Sequence, residues 1–354
     1  MKKFFRHGLI IGKFYPLHAG HSHLIRTALA SCERLTVLVI ASPTESIPLE
    51  TRVDWIRGEH PNAIVRSATD DGRTDFSSPA AWDQHMAAAK GLLDSSVDAV
   101  FSSHAHGAEL ARRLKARWIQ VDPDRRHTPV SGSAVRNDLS GYWWALAPSV
   151  REKLAQRAVV VGSESSGAGQ LAKRLAEQLG VPCVPDFREE WTSVRPGGLW
   201  APWHAAEFEF ITREQLHAEE RGLRSTPKPV VVCAGDMLSA ALWNERLLGP
   251  GNRAQSILRS ALEHPPLIYL LADEDASMHQ GSHDEAARRR MQQRFRDVLH
   301  NQSTPWVEIR GTAAARLSDA KAAIEAQLSG AFQFAPPAQH PSRGDHGRNV
   351  AEHR

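Results

Sequence analysis

The chain has 354 residues, too many for one ordinary hydrophobic core, so its length points to about two domains. It is 42% hydrophobic and 23% charged, the balance of a soluble globular protein, and a formal net charge of +3 gives no bulk attraction for nucleic acid. Cys32, Cys183 and Cys233 are widely spaced, which indicates neither a zinc site nor a disulfide framework, and no metal site is expected in the protein itself. This cysteine usage suits a reducing cytosol. Lys2, Lys3 and Arg6 precede only GLIIG before Lys13 interrupts it, too short for a signal peptide. No apolar run approaches the roughly 20 residues that span a bilayer, so a cytoplasmic protein without a membrane partner is expected.

In chain order, Gly8 to Ile11 predicts a short buried strand feeding a Gly/Pro loop. HSHLIRTALASC follows as a helix with Leu24, Ile25, Ala28 and Leu29 on one face. LTVLVIAS is a continuous apolar run typical of a parallel strand, completing a βαβ unit. AIVRSA, AVFSS and WIQVD predict further strands, with LARRLKA as a short helix between the last two. The first domain, residues 1–150, therefore reads as a Rossmann-like, doubly wound α/β sheet. A second strand-loop-helix starts at Ala158 with AVVVGSESSGAGQLAKRLAEQLG. VPCVP, PVVVCAGD and LIYLLAD then predict strands, and ALWNERLLG and EAARRRMQQRFRDVLHN helices, giving a second α/β domain over 157–330. The boundary is expected within Ser149–Gln156. Residues 331–354, rich in Pro, His, Arg and Gly, read as a disordered tail.

Chemistry concentrates in the first loop. Gly12 removes a side chain where a phosphate approaches the backbone, and Pro16 stiffens the turn. His18 and His21, three residues apart at a helix start with Gly20 between them, are placed to share a face. A helix N-terminus favours phosphate through its free N–H groups and dipole; two imidazoles and Lys13 add donors and charge.

GKFYPLHAGH resembles the HxGH signature of the nucleotidylyltransferase superfamily, in the G-K-F-x-P-x-H-x-G-H form of NadR-type nicotinamide mononucleotide adenylyltransferases. TPVSGSAVRND, from Thr128, is similar to the family's second motif. The resemblance implies that His18, His21, Lys13 and Arg136 are catalytic, and that Gly12, Phe14, Gly20, Ser131 and Ser133 bind nucleotide. It places Arg52, in SPTESIPLETRVDWIR, as a phosphate-facing arginine. VFSSHAHGAELARRL and VDPDRR match further family blocks, and Trp82 and Trp118 are candidates to stack on a nicotinamide ring. The implied reaction is adenylyl transfer from ATP to nicotinamide mononucleotide with Mg²⁺, giving NAD and pyrophosphate. Some relatives carry an N-terminal helix-turn-helix; none is expected ahead of the first strand here.

The resemblance continues to about Ser329, where it implies a ribosylnicotinamide kinase domain with a P-loop. Gly162 and Gly167 fit G-x-x-x-x-G-K-[ST], and Gly162, Ser166 and Gly167 are expected to bind nucleotide. Ala168 stands at the lysine position and Gly169 at the hydroxyl position. Neither can contact the β- and γ-phosphates or ligate Mg²⁺ through a side chain. PVVVCAGDMLSAALWNERLLG resembles the family's D-T-D block, with Ala234 at the first acid; Asp236 remains as a ribose ligand or base. Kinase activity on nicotinamide riboside is therefore expected to be weak or lost. The alternatives are an active bifunctional enzyme and a nucleotide-sensing regulator built on a degenerate kinase domain. No nucleic-acid partner is expected, and a homo-oligomer stays open.

Overall fold

The computed structural model describes residues 3–69, 82, 83, 86, 90–164, 166–273 and 285–335. Across these residues the chain folds as two compact units, Met1–Arg136 with Phe334 and Ala335, and Asn137–Gln333.

The first unit begins with β1 (Phe5–Gly12), α1 (Ala19–Ser31), β2 (Cys32–Ala41), α2 (Leu49–Glu59) and β3 (Ile64–Thr69). It continues through β4 (Ala99–Ser102), α3 (Gly107–Leu114), β5 (Arg117–Gln120) and α4 (Gly132–Asn137). The strands form one parallel sheet in the order β3-β2-β1-β4-β5. β1 is central because it is apolar on both faces; Leu9 and Ile10 are at most 1% exposed. The strand order reverses across β1, whose neighbours are β2 and β4. The loops leaving β1 and β4 therefore diverge and open a crevice at their carboxyl ends, the usual ligand position in such sheets. Gly8 is required in β1 by close packing, since a Cβ there would lie 2.5 Å from Cys32 Sγ and 3.0 Å from the Phe101 ring.

The second unit contains α5 (Pro148–Leu154), β6 (Gln156–Val161), α6 (Ala168–Leu179), β7 (Cys183–Val184), α7 (Phe187–Val194) and α8 (Ala205–Ser225). β8 (Val230–Cys233), α9 (Met237–Leu248), α10 (Asn252–Glu263), β9 (Ile268–Ala272), α11 (Glu285–His300), β10 (Trp306–Ile309) and α12 (Ala313–Ala331) complete it. Its sheet is parallel, in the order β10-β9-β6-β8-β7. Strand alternation builds a core on each face. Val159, Val161, Val231, Cys233, Tyr269 and Leu271 face one side, with Phe208 and Ile211 of α8. Ala158, Val160, Val232 and Leu270 face the other, with Leu175 of α6 and Ile324 of α12. Again β6 sits at the switch, between β8 and β9.

The unit boundary lies earlier than the expected Ser149–Gln156. The intervening segment packs with the second unit, where Trp143 Nε1 donates to Thr226 O at 2.8 Å. The tail expected from residue 331 starts with described residues: α12 ends at Ala331, and Ala335 N donates to Ser46 Oγ at 3.0 Å. Residues 336–354 lie outside the described residues. No described helix is long and apolar enough to cross a membrane.

Replacing Gly8 by Ala overpacks the β1–β2 seam and is expected to destabilise the first unit by about 1–3 kcal/mol. Denaturant unfolding of the full chain, followed by a probe in that unit, checks this.

Candidate functional site

The loop after β1 turns back sharply at Phe14, whose φ of 47° lies in the left-handed region. The Phe14 ring is thereby buried beneath His21, with ring centroids 4.8 Å apart. A Cβ on Gly12 would lie 3.1 Å from that ring, so Gly12 serves this close approach.

Arg52 of α2 fixes the same loop from behind. It is 0% exposed; its Nη1 donates to Lys13 O at 3.1 Å and to Glu45 Oε2 at 2.6 Å, and its Nε and Nη2 both donate to Ile47 O. Its guanidinium also lies 4.4 Å from the Tyr15 ring centroid. Lys13 Nζ reaches the other Glu45 oxygen at 2.8 Å. Burial pushes the Glu45 carboxyl up, but hydrogen bonds from Lys13 and Arg52 outweigh it and hold it below the ordinary carboxylate value. The sequence places Arg52 as a phosphate-facing arginine; in the structure its guanidinium bonds to Lys13 O, Ile47 O and Glu45.

His18 is the N-cap of α1, and its Nδ1 accepts the Gly20 N–H at 3.1 Å. Gly20 makes room for the ring, since a Cβ there would stand 3.1 Å from His18 Cε1. His21 stacks on His18 with centroids 3.8 Å apart and planes 24° apart. Burial, then Arg125 and Arg136, push the His18 pKa down to about 4. Burial and the His18 and His104 rings push His21 well below its ordinary value, against an opposing hydrogen bond from the His21 ring to the Pro16 backbone carbonyl. Both rings are therefore neutral near pH 7, which is what lets them stack so closely. With Nδ1 accepting, the neutral His18 tautomer carries its proton on Nε2. His21 Nδ1 is buried and has no hydrogen-bond partner among the described residues.

A cleft of about 490 Å³, including space open to solvent, lies in front of these rings. His18, Gly20, His21, Ser131 and Gly132 line it, together with Ser103 and His104 after β4 and Asp122 and Arg125 after β5. Arg136 is set beside it, donating to Tyr15 O at 2.7 Å and Ser133 Oγ at 3.1 Å. Ser131 Oγ accepts the Ala134 N–H and so caps α4. His104, Asp122 and Arg125 escape sequence reasoning because they arrive from separate loops. The HAH and DPDRR runs were their signal, although no single residue stood out.

The two candidate stacking tryptophans are elsewhere. Trp82 is 8% exposed, with Arg113 5.4 Å from its ring centroid, and Trp118 Nε1 donates to Ser102 Oγ at 2.9 Å. Trp118 also packs against the Leu9, Leu38 and Val100 core. Neither is among the residues lining this cleft.

In the second unit, the loop after β6 and the start of α6 border a cleft of about 860 Å³ including open space. Gly162, Ser166 and Gly167 line it. A Cβ on Gly162 would meet Ser166 Oγ at 2.4 Å, and Gly167 has a φ of 72°. Gln292 Oε1 accepts the Ser163 N–H at 3.0 Å, and Arg316 Nη2 donates to Ser166 O at 2.6 Å. Ala168 and Gly169 stand at the cleft with no functional side chain. Asp236 is 3% exposed and does not line the cleft. Its Oδ1 accepts the Ser239 N–H and its Oδ2 the Tyr269 O–H at 2.7 Å. Burial pushes its carboxyl up, against Arg157 and these hydrogen bonds. In the structure it caps α9 within a buried network.

Comparison with known proteins fits this organisation. A family model described as an AAA domain matches residues 157–316. The chain is 24% identical over 212 residues to the trifunctional NAD biosynthesis/regulator protein NadR of Salmonella typhimurium, covering 54% of this chain and 51% of the relative. The NadR of Escherichia coli matches at 24% over 213 residues with the same coverage. The chain therefore spans about half the length of the curated relatives it matches. A crystal structure of a NadR protein in complex with NR superposes with a TM-score of 0.70 at 16% identity, covering 92% of this chain and 96% of the other. A second, of NadR with NAD and AMP-PNP, gives 0.68 at 16%, covering 93% and 98%. The chain is thus similar to NadR proteins in fold, with a Rossmann-like unit followed by a P-loop NTPase-like unit.

Arg52→Ala leaves Glu45 buried with only Lys13 as counter-charge. It is expected to cost the first unit about 3 kcal/mol or more in a denaturant titration.

Proposed function

We propose that this NadR-like chain transfers the adenylyl group of ATP to nicotinamide mononucleotide in its first cleft, making NAD and pyrophosphate. The observation that carries the reading is the stacked, neutral His18–His21 pair at the start of α1, lining a cleft whose residue Gly132 has the Arg136 guanidinium close by. A phosphate oxygen placed there accepts the His18 Nε2–H. It also approaches the free N–H groups of the helix start. An attacking 5′-phosphate oxygen forms a bond to the α-phosphorus of ATP, and the bond from that phosphorus to the β-phosphate bridging oxygen breaks. The electron pair leaves with pyrophosphate, and no protein nucleophile or net proton transfer is needed.

Catalysis then consists of orientation and charge neutralisation. Arg136 contributes a fixed positive charge, pinned by Tyr15 O and Ser133 Oγ. Lys13 contributes a second once its ammonium leaves Glu45 for the phosphates. Among the described residues no group of three or more His, Cys, Asp or Glu side chains could hold a metal ion. That donor set suits a Mg²⁺ that is carried by the phosphate oxygens of ATP and only supplemented by protein. When bound, Mg²⁺ would neutralise charge on the departing pyrophosphate.

The second unit is read as a kinase-derived domain with weak or no phosphoryl transfer. Ala168 and Gly169 remove the lysine and hydroxyl, and Asp236 is engaged by Tyr269 and Ser239. A product assay on the full chain tests both readings, using Mg-ATP with nicotinamide mononucleotide, its acid analogue and nicotinamide riboside in turn. NAD and pyrophosphate are expected from the amide mononucleotide, and His18→Ala should lower kcat by about 100-fold or more with a smaller rise in KM. NAD formation by His18→Ala at the parental rate would refute the first reading. Robust phosphorylation of the riboside would refute the second.

A further inference from the structure

Two of the cations assigned to adenylyl transfer are held by the protein itself. Arg136 donates to Tyr15 O at 2.7 Å and to Ser133 Oγ at 3.1 Å, and Lys13 pairs with Glu45 at 2.8 Å. Arg125, in the turn after β5, is held differently. It lines the first cleft together with His18, His104 and Ser131, and its guanidinium has no hydrogen-bond or ion-pair partner among the described residues. The carboxylates nearest to it in the chain are engaged elsewhere. Asp124 pairs with Arg126 at 3.3 Å, while the two Asp122 oxygens accept the His127 and Thr128 N–H groups at 3.1 and 3.0 Å.

The turn that carries Arg125 is strained at both ends. Asp122 has a φ of 47° and Arg125 a φ of 53°, and the Arg125 N–H donates to Asp122 O at 3.0 Å across the turn. Aspartate tolerates the left-handed region, but arginine gains nothing local from it, and glycine would be the unstrained choice. The Asp122 carboxylate holds the strain in place by capping the backbone that follows. A long cationic side chain kept at such a position, on the wall of a cleft, marks a functional constraint. Its charge also reaches the imidazole donor: after burial, Arg125 contributes more than Arg136 to pushing the His18 pKa down to about 4. An uncompensated guanidinium beside a neutral N–H donor is a setting for a phosphate-bearing anion.

We propose that Arg125 is a further catalytic residue of the first cleft, a free guanidinium that closes on the pyrophosphate end of ATP as it departs. When the bond from the α-phosphorus to the bridging oxygen breaks, its electron pair stays on the pyrophosphate, whose negative charge grows. Arg125 can move onto that charge and donate two parallel N–H bonds to it. Arg136 is pinned, and Lys13 must first leave Glu45, so neither meets the growing charge as readily. The inference rests on the transfer reading of the first cleft and gives it a residue that reading does not use.

The test uses the full chain and two variants. Arg125→Gly suits the positive φ and so keeps the turn, and Arg125→Gln keeps the length of the side chain without its charge. Inorganic pyrophosphate is titrated in Mg²⁺ while the His18 ring nitrogens are followed by NMR, which reports on the first cleft alone. Pyrophosphate is expected to perturb the parental His18 signal, and each variant should bind it about tenfold or more weakly at an unchanged unfolding midpoint. In the NAD-forming assay each variant should lower kcat by about 100-fold or more, with a smaller change in the KM for nicotinamide mononucleotide. The inference is overturned if pyrophosphate leaves His18 unperturbed, or if either variant keeps the parental pyrophosphate affinity or the parental kcat. Failure of the transfer reading is told apart: a parental chain that binds pyrophosphate at His18 through Arg125 but makes no NAD refutes that reading, and Arg125's catalytic role with it, while the Arg125–pyrophosphate contact stands.

Discussion

The arrangement of the first cleft depends on one buried ion pair, Arg52 with Glu45. A buried pair of this kind is weak evidence for net stability, because desolvating both ions offsets their attraction. Its effect here is geometric. The Arg52 guanidinium is planar and donates in fixed directions, so its bonds to Lys13 O, Ile47 O and Glu45 hold the loops after β1 and β2 in one register. The pinned first loop then presents Tyr15 O to Arg136 and delivers His18 to the head of α1. A residue that resembles a substrate ligand in the sequence is the one that shapes the ligand site.

The second unit repeats the architectural logic with different chemistry. Its central strand β6 also sits at a reversal of strand order, and its following loop is also held from behind, by Gln292 and Arg316. The loop backbone is therefore maintained after its two functional side chains are gone. Gly162 and Gly167 are still required, one by the close approach of Ser166 and the other by its left-handed backbone.

Much of this was legible in the sequence because the signals are local. Continuous apolar runs marked β1, β2, β6, β8 and β9, and glycine-bearing loops after β1 and β6 marked both clefts. His18, Gly20 and His21 were readable because four consecutive residues carry the geometry. Glu45 was not, since its partners Lys13 and Arg52 come from other segments and no spacing links them. His104 and Arg125 were missed for the same reason. α8 was also missed: its buried face carries Gln215 and Glu219 beside Phe208 and Ile211, which breaks the apolar stripe. Asp236 and the two tryptophans were read by residue type, and their neighbours Tyr269, Arg113 and Ser102 lie far away in sequence.

The central claim is that the first cleft offers a phosphate a neutral, pre-aligned imidazole donor. Long-range proton–nitrogen NMR correlation of the histidine rings in the full chain, followed across pH, tests it directly. Because burial and two arginines depress the His18 pKa, the ring should stay neutral through pH 6 to 8, with Nε2 protonated, and take up its second proton only near about pH 4. Titration of His18 at the ordinary histidine value, or a neutral form protonated on Nδ1, would contradict the account.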